Sequence, residues 1–165
     1  MTLHEFNILP REELIGMLTN CCGSPAWVNR MLPFVPAEDL VELLEDAEEQ
    51  WWLCSEEDWK EAFSHHPRIG DKVINDSTAA TEWSIDEQAS VMKAPEKTLD
   101  DLARANRQYE EKFGYVFIVC ATGKSGDEML TMLETRLQNS PEVEIDLAAD
   151  EQCKITKLRL EKLLQ

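Results

Sequence analysis

Tyr115-Val-Phe-Ile-Val-Cys120, an unbroken apolar run between Gly114 and Ala121, is the stretch of this chain that reads most like a β-strand. β-Branched and aromatic residues in succession suit a buried strand. A run this short, however, has no alternation and cannot be separated from a buried helical segment by periodicity. The fold class therefore turns on what surrounds it, and the surroundings are helical.

Working outward, Thr98 opens a long helix that ends at Phe113-Gly114, and Ser125 caps another through Leu137. Ser140-Pro141 then opens a last helix that runs to the C-terminus. Toward the N-terminus, Ser84-Ile-Asp-Glu87 has the spacing of a capping box and predicts a short helix through Met92, preceded by a loop from Arg68 to Glu82. Ser55, with acids through Asp58, caps a helix that buries Trp59, Ala62 and Phe63. It must stop near His65, because the residue before Pro67 is pushed out of the helical region. From Ala37 the positions Leu40, Val41, Leu43, Leu44 and Ala47 keep helical spacing toward Trp51, after Pro33 and Pro36 interrupt the pattern. Ser24-Pro25 is a further N-cap, and Pro10 opens a helix with Leu14, Ile15 and Leu18 that stops at Gly23. No repeat, linker or low-complexity segment interrupts the series. The expectation is an all-α, single-domain multi-helix bundle over residues 1–165.

Composition narrows the function. At 165 residues and 43% apolar, the chain supports one well-packed core. A formal charge of −17 argues against nucleic acid, which needs clustered Lys and Arg to displace counterions. The charge is uneven, with no Lys or Arg between Arg30 and Lys60 and acids crowding Glu38 to Asp58, the pattern of a solvated helix face. Five cysteines, two of them adjacent at Cys21 and Cys22 and none in a C-x-x-C pair, suggest a reducing compartment rather than a disulfide framework. MTLHEFNILP lacks the layout of a secretion signal, and no run of about 18 apolar residues occurs, so a soluble cytoplasmic protein without membrane contact is expected.

Four features could hold chemistry. His65 and His66 cannot both be ligands from one helical face, since adjacent side chains diverge. His65 suits the negative end of the helix dipole, whereas Pro67 forces His66 into an extended conformation from which a titratable ring can project into a cleft. Both remain compatible with a plain surface or capping role. Glu87 reads either as the third residue of the Ser84 capping box or, with Ser84 and Gln88, as a polar handle for a ligand at a helix N-terminus. Ala121-Thr-Gly-Lys-Ser125 resembles a phosphate-binding loop but lacks the glycine that G-x-x-x-x-G-K-[ST] requires at Ile118. Arg159 falls inside the arc that Ile155, Leu158 and Leu163 are expected to bury, so its guanidinium needs an anion: an internal carboxylate, or a substrate carboxylate held by a two-pronged fork.

Together, HHPRIGD at 65–71, WSIDEQASV at 83–91, NRQYEEKFGYVFIVCATGKS at 106–125 and ITKLRLEKLL at 155–164 resemble the OHCU decarboxylases of urate degradation. The resemblance implies an all-helical, cofactor-free, often dimeric enzyme. Its substrate would be 2-oxo-4-hydroxy-4-carboxy-5-ureidoimidazoline and its product (S)-allantoin. It further implies a catalytic set of His66, Glu87 and Arg159. Substrate would be lined by Pro67, by Ser84, Ile85, Asp86, Glu87 and Gln88, by Phe117, Ile118, Val119, Cys120 and Ala121, and by Arg159. A small-molecule substrate, a homodimer and no metal are thereby expected. Two readings of other classes stand beside it: a nucleotide-binding protein using Gly123, Lys124 and Ser125, and a non-catalytic helical module using the acidic surface. Neither accounts for His66, Glu87 and Arg159 falling together on the family's pattern.

Overall fold

The computed structural model describes residues 1–70 and 79–165, and in it Val116–Cys120 is neither strand nor helix but an irregular, largely buried connection. Among the described residues there are nine α-helices and no strand, so the all-α expectation holds. They are α1 (Leu3–Asn7), α2 (Arg11–Cys21), α3 (Pro25–Met31), α4 (Leu40–Trp52), α5 (Glu56–Phe63), α6 (Ala79–Glu87), α7 (Glu96–Phe113), α8 (Gly126–Arg136) and α9 (Pro141–Leu163). The chain divides into two compact units, one of Met1–Ala62 with Gln152–Gln165, the other of Phe63–Glu151.

In the first unit the helices begin where the sequence supplies caps. The Glu42 N–H donates to Asp39 Oδ1 at 2.9 Å to start α4, and Ser55 and Asp58 exchange N–H donations at 2.9 and 3.3 Å to start α5. The sequence reading missed α1, which five residues are too few to mark by periodicity, although Thr2 and Glu5 form a complete capping box. α4 buries Leu43, Ala47, Gln50 and Trp51, one face at helical spacing. Two indoles lie inward with their polar ends satisfied: Trp27 Nε1 donates to the Ala47 carbonyl at 3.0 Å and Trp59 Nε1 to the Trp51 carbonyl at 3.1 Å. The part of α9 in this unit buries Gln152, Cys153, Ile155, Thr156, Arg159 and Leu160. Leu158, expected inside, is 41% exposed, because at roughly 100° per residue it lies on the far side of Ile155 from that arc.

The second unit is built around α7, which packs against α8. Leu102, Ala105 and Tyr109 of α7, Met129 and Leu133 of α8, and Ile69, Val91, Phe117, Val119 and Ala121 form its core. Gly114 ends α7 with φ +82°, a left-handed conformation that glycine adopts without a Cβ clash. Ser125 opens α8 as expected, its Oγ accepting the Glu128 N–H at 3.2 Å.

Three expectations fail here. α7 begins at Glu96 after Pro95, so Thr98 does not open it but lies buried inside it, its hydroxyl donating to Asp127 Oδ1 at 2.9 Å. The loop predicted from Arg68 to Glu82 ends by Ala79, where α6 has begun, and its residues 71–78 lie outside the described residues. Ser84 does not cap a helix: it sits inside α6, its hydroxyl donating back to the Ala80 carbonyl at 2.9 Å, while Glu87 is the last residue of the helix. The S-x-x-E spacing of a capping box is also the spacing of two residues on one helical face, and here the second geometry applies.

Candidate active site

α5 ends at Phe63, two residues earlier than expected, so His65 is exposed beyond the helix rather than in its last turn. His66 follows, half-buried, with its N–H donating to the Phe63 carbonyl at 3.1 Å. The chain beyond Pro67 is then held at three successive residues. Arg68 Nε donates to Glu110 Oε2 at 2.8 Å, the Ile69 carbonyl accepts from Asn106 Nδ2 at 3.0 Å, and the Gly70 N–H donates to Gln88 Oε1 at 3.0 Å. Gly70 has φ +86°, so the turn that presents this N–H suits glycine.

Gln88 is therefore a strut as well as a candidate ligand residue, tying the histidine loop to the end of α6. Ser84 and Gln88 are buried, four residues apart on one face, with Glu87 half-buried beside them. Ile85 is 49% exposed and Asp86 is exposed, so these two of the sequence-predicted lining residues point away from that face.

Phe117, Ile118, Val119, Cys120 and Ala121 are all buried. With no neighbouring strand among the described residues, this stretch is held by side chains. Arg136 Nη1 donates to the Ile118 carbonyl at 2.5 Å, Lys124 Nζ donates to the Cys120 carbonyl at 2.6 Å, and the Cys120 N–H donates to Glu151 Oε2 at 2.8 Å. Burial pushes the Cys120 thiol up; Lys124 opposes this, while the Glu151 and Glu87 carboxylates add to it. The last of these effects places Glu87 within electrostatic reach of the Phe117–Ala121 stretch. One unit thus contains the histidine loop, the α6 face and the buried stretch.

Arg159 lies in the other unit, 5% exposed, with Nη1 donating to the Asn20 carbonyl at 3.2 Å. Burial pushes the neighbouring Cys21 and Cys22 thiols up to about 12, and the Arg159 cation pulls both down.

Sequence reasoning missed Arg136, Glu144, Asn106 and Glu151. Arg136 follows Met129 and Leu133 on the buried face of α8, the same helical-wheel signal that singled out Arg159. The apparent phosphate loop is occupied by its own chain, with Lys124 on the Cys120 carbonyl and Ser125 on the Glu128 N–H. Among the described residues no group of three or more His, Cys, Asp or Glu could hold a metal ion, and no helix is long and apolar enough to cross a membrane.

The profile of a family described as OHCU decarboxylase matches residues 7–161. The chain is 39% identical over 148 residues, 87% of its length, to "Uric acid degradation bifunctional protein TTL" of Arabidopsis thaliana, and 26% identical over its full length to a uric acid degradation bifunctional protein of Bacillus sp.. It spans 45% and 32% of those two relatives. A crystal structure of OHCU decarboxylase in the presence of (S)-allantoin superposes with TM-score 0.79 at 35% identity, covering 90% of this chain and 97% of that one.

Proposed function

We propose that this chain, which belongs to the OHCU decarboxylase family, decarboxylates 2-oxo-4-hydroxy-4-carboxy-5-ureidoimidazoline to (S)-allantoin. The observation that carries the reading is the Gly70 N–H to Gln88 Oε1 hydrogen bond of 3.0 Å, which joins the loop of His66 to the helix of Glu87. Two titratable groups that sequence places about twenty residues apart are thereby anchored to a common frame, as acid–base work requires.

In the proposed reaction the carbon bearing the hydroxyl loses CO2; the bonding pair forms a C=C bond to the neighbouring ring carbon, and the π pair of the adjacent C=N bond moves onto its nitrogen. The enol-like intermediate must then be protonated on one face to give a single enantiomer. His66, able to be charged or neutral near neutral pH, hydrogen-bonds the substrate and delivers the proton. Glu87 orients the hydroxyl or ureido group and pairs with His66, while Arg159 positions the substrate's anionic group with its planar fork. No organic cofactor or metal enters this scheme, because the imine itself accepts the electron pair.

Two details of the local geometry refine these roles. Ser84, inside a helix, offers its hydroxyl rather than a free helix-end amide. The Cys120 N–H is engaged by Glu151, so stabilisation of developing charge on the ring is assigned to the other amides of Phe117–Ala121. One domain over residues 1–165 is proposed because the family profile extends across both compact units. Homodimer formation and a cytoplasmic location are proposed from the family resemblance and the cysteine usage.

The test generates the unstable substrate in situ from urate and follows allantoin handedness by circular dichroism. His66→Asn is expected to lower turnover by about 10²–10⁴-fold, the range of a lost acid–base group, and His65→Asn to leave it near wild type. Product forming no faster than spontaneous decay, or equal losses from the two substitutions, would overturn the reading.

A further inference from the structure

Arg136 and Glu144 are buried together, with side chains 8% and 0% exposed. Arg136 Nε donates to Glu144 Oε1 at 2.7 Å; Nη2 is 2.5 Å from the same oxygen, but only Nε is aligned with it as a donor. The carboxylate is fully engaged: Tyr109 donates its hydroxyl to Oε1 at 2.6 Å and Asn139 Nδ2 donates to Oε2 at 3.0 Å. The guanidinium faces the Phe117 ring with its carbon 4.6 Å from the centroid, and its Nη1 donates to the Ile118 carbonyl.

Such a cluster is poorly explained as a source of stability. Taking two charges out of water offsets most of their attraction, and an apolar pair of similar volume often holds two helices about as well. What an apolar pair cannot do is donate to a buried carbonyl in a segment that has no strand partner among the described residues. The cation reaches that carbonyl from one side while its ring contact fixes the preceding residue. Glu144, held by Tyr109 and Asn139, sets the direction in which the fork points.

We propose that Arg136 and Glu144 are positioning residues of the candidate active site: the pair fixes the Phe117–Ile118 backbone, and through it the orientation of the peptide groups that line the substrate. The proposal rests on the reading of Phe117–Ala121 as substrate-lining. Arg136 touches no reacting atom and acts through the main chain. Lys124 and Glu151 hold the other end of the same segment at Cys120, so loss of the Arg136 contact frees one end and leaves the other tethered.

The experiment compares wild type with the double variant Arg136→Met/Glu144→Leu. Both are followed by thermal unfolding, by kcat and KM on substrate generated in situ, and by amide hydrogen exchange of residues 115–124. The double variant is expected to fold, to lose at least about tenfold in kcat with KM changed by less than about threefold, and to exchange faster in 117–121 while α7 and α8 stay protected. A folded double variant with wild-type kcat and unchanged exchange would overturn the proposal and leave the pair a packing element. Should the double variant fail to fold, Arg136→Lys decides, because one ammonium can meet Glu144 but cannot also align on the Ile118 carbonyl. The same drop in kcat supports the proposal and an unchanged kcat overturns it. Exchange separates the two inferences: a wild-type protein without decarboxylase activity whose variants still loosen 117–121 would sink the proposed reaction and not the clamp.

Discussion

In the unit formed by Met1–Ala62 and Gln152–Gln165, the deeply buried polar groups are mostly neutral. They include indole N–H groups on helix carbonyls, Ser24, Gln50, the Gln152 and Thr156 pair, and the thiols of Cys21 and Cys22, with Arg159 as the buried charged residue. In Phe63–Glu151 the buried set includes an ion pair, and three of its hydrogen bonds go to backbone that has left the helices: the carbonyls of Ile69 and Ile118 and the N–H of Gly70. The difference follows from the chain's path. Regular helix satisfies its own main chain, so side chains there need only pack, whereas irregular backbone in a core must be served by side chains from elsewhere. The first unit has such backbone at Ala37, whose carbonyl and N–H both bond the Asn7 side chain at 2.8 and 3.0 Å; the second has the longer buried stretch, Phe117–Ala121, and most of the proposed site residues belong to that unit.

The contrast breaks most sharply at Glu144. Glu144→Leu alone leaves Arg136 buried without its counter-charge and is expected to cost about 3–5 kcal/mol by chemical denaturation, while adding Arg136→Met recovers most of the loss. No recovery in the double variant would show that the wider hydrogen-bond network, rather than the charge pair, supports this unit. A smaller effect is expected at Asn106, where Asn106→Leu removes the donor to the Ile69 carbonyl and should cost about 1–3 kcal/mol. Activity should fall with it, since the His66 loop loses one of its three ties. A stability loss below that of an exposed cap, about 1 kcal/mol, would erase the distinction between the two kinds of backbone.

The smallest effect near neutrality comes from the first unit and grows with alkali. Cys21 and Cys22 are raised to about 12 by burial, whereas an unfolded thiol titrates near 8.5. Above that value the unfolded state sheds protons that the folded state keeps. The stability they contribute is therefore full below about pH 8.5 and is lost as pH rises toward 12. Denaturation midpoints measured between pH 7 and 10 should decline, and the Cys21→Ala/Cys22→Ala variant should decline less. Parallel declines would assign the effect to other groups, the buried Tyr109 among them.

Most helix starts were legible because caps and prolines are local signals: Asp58 with Ser55, Ser125, and Ser140-Pro141 are read within a few residues. Ser84 was not legible, since a capping box and a shared helical face use the same spacing and only the position of α6 distinguishes them. Tyr115–Cys120 was ambiguous for a related reason: its local pattern records burial, and whether a buried run is helix, strand or neither depends on partners far along the chain. Arg159 could be found from its helical wheel even though Leu158 was misplaced on the same wheel. Arg136 carried an equal signal, but its partners Glu144 and Ile118 lie 8 and 18 residues away on other elements. Periodicity says that such a residue is buried and says nothing of what it meets.

The Phe117–Ala121 stretch has a consequence best stated as molecular recognition. A guanidinium N–H on one carbonyl, an ammonium on another and a carboxylate on an N–H are the kinds of main-chain contact by which proteins grip an extended peptide from outside. Here receptor and peptide are one chain, and tethering by α7 at one end and α8 at the other replaces intermolecular affinity with effective concentration. The segment is in this sense a resident ligand, and its grip can weaken by degrees while the helices around it stay folded.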